Sequence, residues 1–205
     1  MQSTNSTSGR SFLEEARRAQ IVACAIETLA EDGYGQATMA RIAERAAVSK
    51  SVIVYHFGGK DAVFEAVIAG VYAAATDAVR PRVEAETTAA GKLRTYIRAR
   101  VEFLGTHRNH MLALFEVWMN FRDDHGRLRL GEHDAEATVD AIEEILRAGQ
   151  RSGEFTGFST PVMAMAIRQA IDGVLLLSRV RPDLDLDLHA AELVALFERA
   201  TGRPS

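Results

Sequence analysis

Residues 38–60 read TMARIAERAAVSKSVIVYHFGGK, and the interpretation of the whole chain starts from this stretch. Thr38 stands before a run in which apolar residues recur at helical spacing, so its hydroxyl can cap the first turn of a helix. The joint 46–49 separates this helix from a second one over 50–57, with Ser49 at its N-cap position, and Gly58-Gly59 ends the second helix. The stretch therefore predicts a helix-turn-helix.

The second helix presents two chemically different faces. Val48, Ile53 and Phe57 have the spacing of an inward apolar face, and the opposite side is left for contacts with a partner. In a helix-turn-helix this second helix lies in the major groove of DNA. The residues expected to face base edges are Lys50, Ser51 and Val52, and those expected to hold phosphates are Thr38, Tyr55, His56 and Lys60.

The same stretch resembles the TetR family of bacterial transcriptional repressors. The pattern that carries the resemblance is Thr38, Ile42-Ala43, Ala46, Val48-Ser49-Lys50, Tyr55-His56-Phe57 and Lys60. Two positions depart from the family's usual sequence: Ala47 replaces a turn glycine, and Val54 replaces an aromatic residue. We expect Ala47 to be tolerated if its backbone is not left-handed. Tyr55 would then make alone the phosphate contact that Val54 cannot make.

The resemblance implies a two-domain organisation. A helix-turn-helix DNA-binding domain with three helices would occupy residues 12–60, and a connecting helix would occupy residues 61–80. A larger helical domain for ligand binding and dimerisation would occupy residues 81–205. Residues 1–11 are polar and are predicted to form a disordered arm.

Apolar periodicity predicts the remaining helices, about nine in all with the first two. Their expected ranges are 12–32, 61–79, 89–106, 109–121, 132 to 149 or 152, 161–179, and 186 or 188 to 201. Strand-like alternation is not sustained in any segment, so the fold class is predicted to be all-α. Arg80-Pro81 is expected to end or kink the connecting helix. We also expect a cytoplasmic protein with no membrane span, because apolar runs of about 18 residues and a hydrophobic leader are lacking.

Charge is unevenly distributed along the chain. The net charge is −4, which by itself argues against a DNA partner. Residues 38–60, however, carry four Lys and Arg against Glu44 alone, so this segment is +3 and the remainder is −7. We therefore expect double-stranded DNA to bind here, with an affinity that falls steeply as salt is raised. Arg17 and Arg18 lie near the start of the first helix, where they either touch the DNA backbone or form a solvated face.

Two-fold operators require a two-fold symmetric protein, so we expect a homodimer. The last two long helices have more apolar surface than one neighbour can cover, and TetR-family dimers pair through a four-helix bundle of this kind. The expected interface residues are Ile171, Leu175, Ser178, Leu193, Leu196 and Phe197. The alternative is that the run 175–177 is ordinary core.

A ligand cavity is the second candidate site. The residues expected to line it are Phe103, His107, Met111, Phe115, Trp118, Met119, Gln169 and Asp172. A Met and aromatic stripe at helical spacing is more often plain core. The segment 114–118, LFEVW, with Asp172-Gly173 resembles a branch of the family that includes a choline-responsive repressor, in which Trp118 would face a cation. A small organic inducer is expected, and no cofactor.

Metal sensing and catalysis are the rival functions. His107-x-x-His110, with His125, His133 and Asp134, is the basis for a metal-sensing regulator or a helical metal-dependent enzyme. The spacing matches no established metal motif, and the sequence has no Gly-rich phosphate loop, nucleophile elbow or His-Glu-x-x-His. The chain is therefore predicted to be a regulator rather than an enzyme. Its single cysteine, Cys24, is either a small core residue or a redox sensor.

Overall fold

The computed structural model describes residues 5–122, 125, 132–181 and 183–202, and the side chains of 5–11 and 132–136 lie outside this description. The described residues form nine helices, which confirms the predicted all-α fold. They are α1 (Asn5–Asp32), α2 (Met39–Arg45), α3 (Lys50–Phe57), α4 (Lys60–Glu84), α5 (Ala89–Thr106), α6 (Arg108–Asn120), α7 (Glu132–Ser152), α8 (Thr160–Val180) and α9 (Leu186–Thr201).

Helix starts were predictable where a side chain caps them. The Thr88 hydroxyl accepts a hydrogen bond from the Gly91 N–H at 3.0 Å at the start of α5. A carboxylate oxygen of Asp185 accepts one from the Leu188 N–H at 2.9 Å at the start of α9. In contrast, α1 begins at Asn5, inside the predicted arm, and residues 1–4 lie outside the description. Residues 12–20 are exposed, so no apolar stripe marks where this helix starts.

Pro81 does not end the connecting helix. It lies inside α4, which continues to Glu84, and the Ala85 N–H donates to the Pro81 carbonyl at 3.2 Å. A proline leaves the carbonyl four residues earlier, here that of Asp77, without its helical donor. Asp77 and Pro81 are both exposed, so water can supply the missing hydrogen bond.

The chain is organised as two compact units. The first comprises Met1–Val71 and Asn109–Gly131, and the second comprises Tyr72–Arg108 and Glu132–Ser205. The border therefore falls inside α4. The first unit contains α1–α3 together with most of α6, a helix that the sequence places in the ligand-binding domain.

The core of the first unit joins α1, α2, α3 and the start of α4. Its fully buried side chains include Ile21, Leu29, Ile42, Ile53 and Phe64. Burying a side chain of this size stabilises a fold by about 1.5–3 kcal/mol. These contacts hold α3 at a fixed rotation about its own axis.

In the second unit α5 is the central helix, because it packs against α7, α8 and α9. Its buried positions recur around most of the helix: Leu93, Tyr96, Ile97, Val101, Phe103 and Leu104. One close approach depends on a glycine. A Cβ added at Gly149 of α7 would lie 2.1 Å from the Phe155 ring, so a larger residue at position 149 would displace that ring.

Two helices, α4 and α8, are long and apolar enough to cross a membrane by length and composition. Neither helix is an uninterrupted apolar run, and this is why the sequence predicted no membrane span. Core helices of water-soluble proteins pass the same test, so this is a weak indication of a membrane span.

The turn between α2 and α3 contains a left-handed residue. Ala47 has φ 51°, so the condition under which we expected it to be tolerated is not met. The turn is nevertheless closed by hydrogen bonds from the Ala47 N–H to the Glu44 carbonyl at 3.1 Å and from the Val48 N–H to the Ala43 carbonyl at 3.0 Å. An L-residue in this conformation costs about 1–2 kcal/mol.

Replacing Ala47 by glycine should therefore stabilise the protein. After the entropy cost of glycine is subtracted, we expect Ala47→Gly to raise the free energy of unfolding by about 0.5–1 kcal/mol in urea denaturation. The control is Ala40→Gly, at an exposed position in α2, which should lower it by about 0.5–1 kcal/mol. Equal losses in both variants would show that the turn is not strained.

A carboxylate from outside α5 caps that helix. The Oε1 of Glu154 accepts from the Ala89 N–H at 3.1 Å, and its Oε2 accepts from the Ala90 N–H at 3.0 Å. The Ser152 hydroxyl donates to Oε1 at 2.9 Å. The backbone N–H groups of Ala90 and Ala89 lower the pKa of Glu154, because they favour its ionised form.

Glu154→Gln should lower the melting temperature at pH 7. Since the pKa of Glu154 is lower in the folded state, its contribution is complete above the unfolded value of about 4.3 and disappears as pH falls through the folded value. The deficit of Glu154→Gln relative to wild type should thus shrink between pH 6 and pH 3 in thermal melts. Glu192→Gln, at an exposed position on α9, is the control and should melt like wild type. A deficit that does not change with pH would contradict the cap.

Candidate nucleic-acid interface

Thr38 starts the first helix of the motif as predicted. Its backbone is extended, with φ −86° and ψ 156°, and its hydroxyl accepts from the Arg41 N–H at 3.2 Å. The residue is exposed. Its hydroxyl is thus oriented by the cap, and a phosphate contact from the same group stays a prediction.

The inward face of α3 is occupied by the residues predicted for it. Ile53 is 0% exposed and Phe57 is 9% exposed, while Val48, in the turn before the helix, is half-buried. Tyr55 is 76% exposed on the opposite side. The packing therefore decides which residues of α3 can reach a partner.

The outward face is partly as predicted. Lys50, Ser51 and Tyr55 are exposed, whereas Val52 and His56 are half-buried. The face also includes Val54, which is 44% exposed and which the sequence analysis did not assign to base contacts. Val54 therefore joins Ser51 and Tyr55 among the exposed residues of this face.

Ser49 stands at the N-cap position of α3 with extended backbone, φ −78° and ψ 154°, but its side chain does not cap the helix. Its hydroxyl instead lies 2.7 Å from that of Ser51. The predicted base contact from Ser51 would therefore share its hydroxyl with Ser49.

Arg18 of α1 contacts the C-terminal end of α3. Its guanidinium lies 4.2 Å from the centre of the Phe57 ring, and its Nη1 donates to the His56 carbonyl. A cation at the C-terminal end of a helix is favoured by the helix dipole. The sequence offered Arg18 as a DNA contact or a solvated residue, and the structure gives it this packing role.

The rings of Tyr55 and His56 meet edge to face at 5.1 Å.

Lys60 is held by aromatic rings. Its Nζ lies 4.9 Å from the centre of the Tyr34 ring and 5.0 Å from that of Phe64. Burial lowers the pKa of this ammonium. The predicted phosphate contact from Lys60 thus has to be made by a side chain that is also part of the aromatic packing.

The folded structure neutralises part of the positive charge that residues 38–60 carry in the sequence. Arg41 pairs with Asp32 at 3.1 Å and with Glu44 at 3.4 Å, and Arg45 pairs with Glu31. The last turn of α1 thus neutralises two of the four cations of the segment. The field toward a phosphate backbone therefore depends chiefly on Lys50 and Lys60.

The eight predicted pocket residues are distributed over both units. Phe103, His107, Gln169 and Asp172 belong to the second, and Met111, Phe115, Trp118 and Met119 belong to the first. Phe103 and Met111 are each 2% exposed, whereas Met119 is 54% exposed. The Phe103 and His107 rings stack at 4.0 Å. The ligand pocket stays a prediction.

The first unit has a concavity that the sequence analysis did not foresee. Its volume is about 350 Å³, and it is lined by Arg18, Ala19, Val22, Ala23, Ile26, Phe57, Ala66, Gly70 and His110. The small residues of α1 and α4 leave this space. The sequence shows that small and larger residues alternate in both helices, but it does not show that α1 and α4 pack against each other.

A search of the described residues for metal ligands finds no group of three or more His, Cys, Asp or Glu that could hold an ion. The His107 Nδ1 lies 2.9 Å from the Thr106 hydroxyl. His133 and Asp134, which belong to the metal-sensing alternative, have side chains outside the description. Cys24 is half-buried, and burial raises the pKa of its thiol.

The residues predicted for the dimer interface differ in burial, and the interface stays a prediction. Ile171, Leu175 and Phe197 are 2%, 3% and 5% exposed, so they are buried within the chain itself. Leu196 is exposed, and Ser178 and Leu193 are half-buried. The exposed apolar residues of α8 and α9 are Val162, Met165, Leu176, Val180, Leu188 and Leu196. Because α8 has apolar residues on two sides, its sequence could not tell which side faces its own protomer.

Comparison with known proteins connects this geometry to a family. Residues 21–67 match the family model described as bacterial regulatory proteins, tetR family. The HTH-type transcriptional regulator BetI of Paraburkholderia phytofirmans is 32% identical over 107 residues, which are 52% of this chain and 55% of the relative. The chain spans about a third to a half of the length of the curated relatives it matches.

Solved structures share the fold over most of the chain. FadR from Bacillus subtilis in complex with stearoyl-CoA has a TM-score of 0.76 at 22% identity, covering 87% of this chain and 96% of that one. AibR in complex with isovaleryl coenzyme A and operator DNA has a TM-score of 0.72 at 17% identity, covering 88% and 97%. Residues 21–67 thus form a helix-turn-helix domain of the TetR family, and the chain as a whole has the fold of TetR-family transcriptional regulators.

Proposed function

We propose that the protein is a transcriptional repressor that binds a palindromic operator as a homodimer and is released from it by a small organic ligand. The observation that carries this proposal is the orientation of α3. Ile53 and Phe57 are packed in the core of a TetR-family domain, which turns Lys50, Ser51 and Tyr55 outward. We place its action in the cytoplasm, where its DNA would be, and we propose a regulator rather than an enzyme.

The roles of individual residues follow from exposure. Lys50 and Ser51 are proposed to face base edges, with Val52 and Val54 offering apolar contact to thymine methyl groups. Tyr55 is proposed to hold a phosphate through its hydroxyl. Thr38, His56 and Lys60 are secondary phosphate contacts, because each already serves the local structure.

Dimerisation is proposed through the exposed apolar residues of α8 and α9. Leu176 and Val180 are 50% and 75% exposed and lie one helical turn apart on α8, and Leu196 on α9 is 49% exposed. Side chains of this size are shielded from water when a second copy covers them. A two-fold axis through this surface would present two copies of α3 to two half-sites.

The proposed release of DNA depends on contacts inside the first unit. The Asn109 side-chain amide of α6 donates to Glu27 Oε2 of α1 at 2.6 Å, and Glu116 Oε2 accepts from the Tyr34 N–H at 3.1 Å. A ligand that shifts α6 or α4 would therefore move the helices that carry α3. A coupling of about 1–3 kcal/mol would release the operator and, reciprocally, weaken ligand binding to the DNA-bound form.

Substitutions on α3 should separate base reading from phosphate binding. In selections from a random DNA pool, wild type should enrich sites with two-fold symmetry. We expect Lys50→Ala to relax base preference at its contact by about 1–3 kcal/mol, and Tyr55→Phe to weaken binding to all sequences by about 1 kcal/mol. Arg98→Gln, exposed on α5, is the control and should change neither. Retention of the wild-type preference by Lys50→Ala would remove Lys50 from the reading surface.

The proposed dimer surface is testable without DNA. Leu176→Glu buries a charge in the two-fold contact, so we expect it to shift the protein from dimer to monomer in sedimentation velocity. The control is Leu13→Glu, at a 70% exposed position on α1, which should leave the dimer intact. A Leu176→Glu dimer of wild-type affinity would contradict this surface.

A further inference from the structure

A cluster of charged and phenolic side chains lies inside the second unit. Its members are Tyr72 of α4, Tyr96 and Arg100 of α5, and Arg168 and Asp172 of α8. Arg168 Nε lies 3.3 Å from Asp172 Oδ2, and Arg168 Nη2 donates to the Tyr72 hydroxyl at 3.2 Å. The Arg168 and Asp172 side chains are only 12% and 19% exposed, so solvent screens this pair weakly.

Arg100 leaves the cluster incomplete. Its Nε is buried, and it has no hydrogen-bond acceptor in the part of the chain that the structure describes. A guanidinium stays charged at every physiological pH, and its N–H groups are obligatory donors. Native proteins satisfy the great majority of buried donors, so an orphaned one indicates that an acceptor from outside the chain completes the site.

The charge balance identifies the kind of acceptor. Among the five side chains named here, two guanidinium groups lie near one carboxyl group, so these five sum to +1 when Asp172 is ionised. Burial raises the pKa of Asp172, and the charges of Arg168 and Arg100 oppose that rise. Burial likewise raises the pKa of Tyr96, which keeps its phenol neutral. An excess positive charge in a shielded site is stabilised by an anion and repels a cation.

We propose that Arg100 and Arg168 bind the carboxylate of a small organic acid with a hydrocarbon body. A carboxylate would supply the acceptor that the buried Arg100 Nε lacks, and the planar guanidinium is shaped for the two oxygens of a carboxylate. The neighbouring positions on the same helices are Ile97, Ile167 and Ile171, all buried, so the environment favours an apolar body. That this acid is the effector rests on the proposed function, but the binding site does not.

The assignment also separates two ligand classes that the sequence left open. A quaternary ammonium such as choline would be repelled by the arginines of this cluster. The predicted pocket included Asp172 but no arginine, because a lone arginine on a helix usually reads as a solvated residue. Only the packing of α5 on α8 brings Arg100 and Arg168 to one carboxyl group.

The test uses the full-length protein without DNA. Thermal melts and titration calorimetry are run with octanoate, with 1-octanol as the neutral ligand of equal length, with choline and with inorganic phosphate. We expect octanoate to bind and to raise the melting temperature, and the other three to leave it unchanged. A stabilisation by phosphate equal to that by octanoate would overturn the carboxylate assignment, and so would binding of choline or octanol in place of octanoate.

Arg100→Met tests the orphaned donor. We expect it to weaken octanoate binding by about 10-fold or more, the loss of one charge-assisted hydrogen bond. Without octanoate it should melt close to the wild-type temperature, because Arg100 is half-buried and only its Nε lacks a hydrogen-bond acceptor in the described chain. The matched control Arg98→Met, exposed on the same helix, should bind octanoate like wild type. A destabilised Arg100→Met protein, or one with wild-type affinity, would overturn the site.

The result for the site and the result for the regulator can be told apart. Octanoate binding without any operator recovered from the DNA pool would support the site and contradict the repressor. Operator binding without octanoate binding would support the repressor and contradict this site.

Discussion

The rotation of α3 about its own axis is the constraint on which the proposed function depends. Ile53 and Phe57 anchor one side of this eight-residue helix in the core, and Arg18 fixes its end from α1 by stacking on Phe57 and donating to the His56 carbonyl. A helix this short has little stability of its own. Tertiary contacts therefore determine both that it forms and which side chains it offers to DNA.

Several polar side chains of the helix-turn-helix already make contacts within the protein. Thr38 caps α2, Ser49 and Ser51 share a hydrogen bond, and Lys60 lies against Tyr34 and Phe64. Arg41 and Arg45 are paired with carboxylates of α1 and α2. Exposed ion pairs of this kind stabilise little, but they lower the local positive field. In a protein of net charge −4, the proposed DNA surface thus has few unpaired cations, and the proposed binding would depend more on hydrogen bonds and shape.

The second unit combines an apolar interior with buried polar groups. Buried charges cost free energy unless they are compensated, so helical cores seldom retain them without a role. Glu143 is also buried, but the Thr160 hydroxyl donates to it at 2.7 Å and Arg147 lies 2.7 Å away. The charge of Arg100 acts on Asp172, but its buried Nε has no acceptor within the described chain, and this contrast makes it the more informative residue.

The sequence by itself determined the fold class, the helix-turn-helix and the helices whose ends carry caps. These features depend on local spacing and on side chains that bond to their own backbone, as at Thr38. Only the tertiary structure decided the left-handed turn at Ala47, the passage of α4 through Pro81 and the pairing of Arg41 and Arg45. It also decided which apolar side of α8 is core, since Leu175 is buried and its neighbour Leu176 is exposed. These outcomes depend on which helices become neighbours, and the apolar pattern of one helix does not specify its partner.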